Sequence, residues 1–140
     1  MEIAAILASF LSPFLPHLMK LGQPVVEEAG KSLGKKLGEG TWNKAKQIWE
    51  KVFPKVNEKP LAKGAAEALA EDTQDEEALD TLTKQLKKLL EADPDLAQQL
   101  HKLVAEDEEM ISKAVNITQN VRGDKNIVIG QSSGGSFNIS

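Results

Sequence analysis

Asp75–Ala114 reads DEEALDTLTKQLKKLLEADPDLAQQLHKLVAEDEEMISKA, and its apolar residues fall three and four apart. Leu79, Leu82, Leu86, Leu89 and Leu90 form one series, and Leu96, Leu100, Leu103, Val104, Met110, Ile111 and Ala114 form a second. That spacing puts each series on one face of an α-helix and leaves the polar residues on the other face. Asp75 is placed to cap the first helix and Asp93 to cap the second, which Pro94 opens. Lys87 and Lys88 lie toward the C-terminal end of the first helix, where the macrodipole favours cations. The short connection predicts an antiparallel helical hairpin.

The same period continues upstream. Pro60 opens an Ala-rich helix through Leu61, Ala65, Ala68 and Leu69. Thr41 is placed to cap a helix in which Trp42, Ala45, Ile48 or Trp49, Val52 and Val56 recur. Lys44, Lys46 and Lys51 are expected on its outer face, and Pro54 is expected to bend or end it. Pro24 opens a helix presenting Val25 or Val26, Ala29, Leu33 and Leu37. Its glycines Gly30, Gly34 and Gly38 fall four apart, a ridge that admits close packing, expected against the first helix. The fold class read from these patterns is all-α, a bundle of four to six helices over residues 1–112.

The first helix comes from Ile3–Met19, IAAILASFLSPFLPHLM, a stretch without a charge between Glu2 and Lys20. As a helix it would be about 25 Å long, slightly short of the roughly 30 Å hydrocarbon core of a bilayer. Glu2 and the lack of a small-x-small site argue against a signal peptide. Pro13 and Pro16 predict a helix that ends near Ser12 and continues as a bent turn. Ile3, Ile6, Leu7, Phe10, Leu11, Phe14, Leu15 and Leu18 are candidate membrane-targeting residues, buried in the resting bundle and inserted on activation. The small residues Ala8 and Ser9 are expected at the helix edge.

Beyond Ala114 the composition changes abruptly, and Asn116–Ser140 contains no Leu, Ala, Met or Glu. Asn-Ile recurs as Asn116-Ile117, Asn126-Ile127 and Asn138-Ile139. Ile117, Gln119 and Val121 alternate in the manner of a strand, as do Ile127 and Ile129 about Val128, while Gly123, Gly130 and Gln131 lie in turn-forming runs. Strands this short are not stable alone, whereas in-register copies would stack Asn over Asn and Ile over Ile. Residues 113–140 are therefore read as a β-forming, self-templating tail, with a disordered polar tail or a hairpin covering the helical part as the alternative.

This tail resembles the bacterial amyloid signalling motifs, Asn/Gly/Gln-rich β segments that follow small helical domains and have matching copies on NLR-type receptors. It is more distantly similar to the fungal HET-s motif and to the animal RHIM motif, from which it departs in having Val128 within Ile127-Val128-Ile129-Gly130 where RHIM has Gln. The helical domains that precede such motifs, called Bell domains, resemble the HeLo and MLKL-type four-helix bundles that kill cells by attacking membranes. The resemblance implies amyloid self-assembly, an NLR-type receptor and membrane lipids as partners, cell-death execution in antiphage immunity, and movement from cytoplasm to membrane. An interaction adaptor without lytic activity is the alternative.

Composition narrows the rest. The absence of cysteine excludes disulfides and thiolate metal sites. Residues 1–63 hold ten lysines against six acids, and residues 64–140 hold seven basic against fifteen acidic residues. The two halves attract each other in a bundle, and the first could approach an anionic surface. His17 and His101 lack a ligand or nucleophile partner in sequence, and Gly34-Lys35-Lys36 lacks P-loop spacing. No catalysis, cofactor, metal or nucleic-acid binding is expected.

Overall fold

The computed structural model describes residues 2–20 and 24–127. The chain runs through α1 (Ile3–Leu11), a 3-10 turn (Ser12–Phe14), α2 (Leu15–Leu18), α3 (Pro24–Leu37), α4 (Thr41–Glu58), α5 (Pro60–Glu71), α6 (Glu76–Ala92), α7 (Pro94–Glu106) and α8 (Glu108–Ile127). The all-α class is as expected. The segments are more numerous than four to six because the N-terminal helix divides at its prolines and the last predicted helix divides at Asp107.

Pro13 and Pro16 begin the 3-10 turn and α2 rather than interrupting a long helix. Pro13 has no N–H for the Ser9 carbonyl, and the Ser12 hydroxyl donates to that carbonyl instead, at 3.1 Å. The apolar segment can therefore be buried without leaving this acceptor unpaired. It forms the centre of the molecule. α1 packs between α6 and α8, and α2 between α5 and α3. Phe10, Phe14, Leu7, Leu11 and Leu15 are among the largest fully buried side chains, joined by Ile48, Leu69, Leu82, Leu86, Leu100 and Ile111 from the surrounding helices.

Caps fall where their chemistry predicts for α6 and α7, with Asp75 accepting from the Ala78 N–H at 3.0 Å and Asp93 from the Leu96 N–H at 3.1 Å. Thr41 does something else. The N-cap of α4 is Gly40, at φ 87°, and the Thr41 hydroxyl donates backward to the carbonyls of Gly38 (2.7 Å) and Gly34 (3.2 Å), closing the end of α3. Pro54 does not end α4, which continues to Glu58. It lies on the exposed face, where the Glu50 carbonyl left without an N–H can be met by water.

The glycine ridge of α3 receives Trp42 of α4, not the first helix. A Cβ on Gly30 would lie 2.5 Å from the Trp42 ring, and one on Gly34 would lie 3.1 Å from the Trp42 Cβ. Gly30→Ala is expected to lower stability by about 1–3 kcal/mol through overpacking. Gly64→Ala, with nothing within 4 Å of the added methyl, should instead raise it, by up to about 1 kcal/mol. Urea denaturation of the two variants measures both signs.

Candidate functional site

Two features bear on the expected activity: the buried N-terminal segment, and α8, which packs on it and runs toward the tail. Leu7, Phe10, Leu11, Phe14, Leu15 and Leu18 are each no more than 2 % exposed, and Ile3 and Ile6 are half-buried. Ala8 and Ser9 are not at the helix edge. Both are buried because α1 is held on two sides, by α6 and by α8, so its apolar face is broader than one stripe. Among the described residues no helix is long and apolar enough to cross a membrane.

The seam between α1 and the last two helices is imperfectly filled. A groove of about 580 Å³ opens there, lined by Ile3 and Ile6 on one side and by His101, Val104, Ile111 and Val115 on the other. α8 then passes without interruption across residues 112 and 113, where the domain was divided from the tail. Asn116–Ile127 continues as helix, where strand-like alternation was read for Ile117, Gln119 and Val121, and Gly123, Asn126 and Ile127 lie in the same helix. Propagating an existing helix adds one bond per residue, whereas an isolated strand has no edge to pair with. The Thr118 hydroxyl completes this backbone by donating to the Ala114 carbonyl at 3.1 Å. Ile117 is 40 % exposed. Val128, Ile129, Gly130, Gln131, Asn138 and Ile139 lie outside the described residues.

At the α7–α8 junction the structure corrects the placement of Lys44. This lysine faces inward and is 5 % exposed. Its Nζ donates to the Leu103 carbonyl at 3.1 Å and to Glu106 Oε1 at 3.2 Å, and lies 2.7 Å from Asp107 Oδ2. Burial disfavours the charge, but Asp107 and Glu106 outweigh it and the lysine pKa stands above its ordinary value. The signal was present in sequence, since Lys44 lies four residues before Ile48 and three after Thr41, on the buried stripe. A lysine read by type alone is placed outside.

A second polar cluster ties α3 to α4. Trp42 Nε1 donates to Glu27 Oε2 at 2.9 Å, and Lys46 pairs with Glu27 while its Nζ lies 5.3 Å over the Trp42 ring. The Trp42 donation holds the Glu27 carboxyl below its ordinary pKa, against a smaller opposing effect of burial and with help from Lys46. Across the ring, Trp42 meets Phe14 at 5.8 Å and His17 at 6.3 Å. Burial, then the charge of Lys20, lowers the His17 pKa. Both tryptophans are core residues, at 3 % and 4 % exposure.

Comparison with known proteins finds no matching family model and no similar curated protein or solved structure.

Proposed function

We propose that this chain executes regulated cell death in antiphage immunity: a similar motif on an NLR-type receptor templates its tail into an amyloid-like stack, and the apolar N-terminal segment then permeabilises the cell membrane. The observation that carries this reading is that the uncharged segment Ile3–Leu18 lies at the centre of the core, and one of the helices holding it there is α8, which runs into the tail. Rearrangement of the tail therefore bears directly on the segment's cover. Residues 116–127 cannot be helix and stacked strand together, so assembly shortens α8 toward the part that touches α1. Clustering of tethered domains supplies effective concentrations near millimolar, which favours association of the released segments. The protein rests in the cytoplasm and acts at the membrane in this reading.

The adaptor reading is favoured by one observation, the lack of a membrane-length apolar helix among the described residues. Leakage of a dye from anionic vesicles separates the two. Full-length protein seeded with fibrils of a peptide covering residues 116–140 is expected to release the dye. Ala5→Asp, at a half-buried position of α1, should keep the fold and the fibrils but lower leakage, since a carboxylate carried into the bilayer with α1 opposes insertion. Undiminished leakage by this variant would show that α1 does not enter the bilayer. Fibrils without any leakage by the wild type would establish the adaptor.

A further inference from the structure

The break between α7 and α8 is made without the usual helix breakers. Val104-Ala105-Glu106-Asp107-Glu108-Glu109-Met110 contains neither Gly nor Pro, yet Asp107 leaves the helix at φ −135° and ψ 41°, its N–H bonded to the Val104 carbonyl at 3.2 Å. The apolar pattern does not register the break. Leu96, Leu100, Leu103 and Val104 are followed by Met110, Ile111 and Ala114 in the phase that one uninterrupted helix requires, and the vacant place between them on that stripe is occupied by Asp107. The apolar stripe thus suits a continuous helix, while Asp107-Glu108-Glu109 suits a restart, and the restart is what forms.

Lys44, from a different helix, binds at the break. Its ammonium binds a last-turn carbonyl of α7 (Leu103) and the side chains on both sides of the α7 end, Glu106 and Asp107. It thereby neutralises acids that the negative end of α7 disfavours. Glu108 and Glu109, in the first turn of α8, suit the new N-terminus. α7 lies on α4 and α6, while α8 lies chiefly on α1 and touches both α3 and α4.

We infer that Asp107 is a two-state elbow latched by Lys44: with the latch made, α8 lies on α1, and with it broken, α7 and α8 join into one straight helix that carries α8 off α1. The straight form solvates Lys44 and its carboxylates together, so no buried charge is stranded. The groove in the α1–α8 seam lowers the packing lost on departure. The elbow rests on the contact between α8 and α1 and requires neither a membrane nor a receptor, so it stands or falls separately from the proposed function.

The chain has no cysteine, so Gln98→Cys and Gln119→Cys, both at exposed positions, take spin labels cleanly in the full-length protein. A straight helix would separate these two Cα atoms by about 31 Å, and any bend makes the distance shorter. Lys44→Met is expected to add a population near the straight distance to the short one of the parent, with amide exchange over Leu7–Leu15 faster by about tenfold. Asp107→Ala should move both readouts the same way and serves if Lys44→Met does not fold. Gly30→Ala destabilises the bundle elsewhere and should leave the distance unchanged. An unaltered short distance in the latch variants, or equal lengthening in Gly30→Ala, would overturn the elbow.

Discussion

Truncating Phe14 to alanine is expected to remove about 3–5 kcal/mol of stability, a large part of the roughly 5–15 kcal/mol that a domain typically possesses. Phe14 is fully buried, meeting Phe10 edge-on at 5.8 Å and Trp42 at the same separation. The void would be slow to collapse, because Phe14 sits in the 3-10 turn between Pro13 and Pro16, whose fixed φ angles resist the backbone shift that would fill it. Urea denaturation measures the loss. A cost below about 1 kcal/mol would mean that the site repacks freely, and that the N-terminal segment is not the centre of the fold.

The second large effect comes from removing charge rather than volume. With α8 seated on α1, Glu106→Gln with Asp107→Asn leaves the Lys44 ammonium buried without its carboxylates, and one-sided disruption of a buried pair costs about 3–5 kcal/mol. Because both acids are near half exposure, water reaches the site and the lower end, about 3 kcal/mol, is expected. Lys44→Met should cost much less, since the two acids it abandons can be hydrated and the methionine fills the same space. The inequality between the variants is the test: equal losses would mean that the interaction is symmetric and the burial of Lys44 immaterial. The raised lysine pKa adds a pH signature. A base whose pKa is higher in the folded than in the unfolded protein stabilises fully below its unfolded value near 10.5 and loses that contribution as pH rises through the folded value. Lys44→Met should flatten this alkaline decline.

Helix positions were legible because apolar period and punctuation agree. Asp75, Asp93, Pro60 and Pro94 stand at the starts expected of them, and the leucines of α6 and α7 face the core. What was not legible required knowing which helix lies opposite. Lys44 is on the buried stripe by phase, but its type places it outside until acids from a chain segment some sixty residues away face it. The break at Asp107 was signalled only by Asp107-Glu108-Glu109, an acidic helix start that the unbroken apolar phase masked. Thr41 looked forward as a cap, whereas the positive φ of Gly40 already supplied the start of α4 and freed the hydroxyl to close α3. The glycines of α3 announced a close approach without naming Trp42 as the partner. Over Asn116–Ile127 the alternation suits stacked copies, and in the single chain the helix anchored at Ile111, Ala114 and Val115 continues through it.

Trp42 gives the molecule an optical gauge of its own. The chain has two tryptophans and no tyrosine, so its near-ultraviolet emission comes from these two indoles. Trp42 has Phe14 and His17 of the N-terminal segment on one side and the Glu27 carboxylate at its ring nitrogen, while Trp49 is paired with Phe53 at 5.3 Å within α4. A Trp49→Phe protein would thus report from a single ring, whose colour and brightness follow whether that segment is seated. Withdrawal of the segment wets the indole and shifts its emission to the red, in real time and without an attached dye.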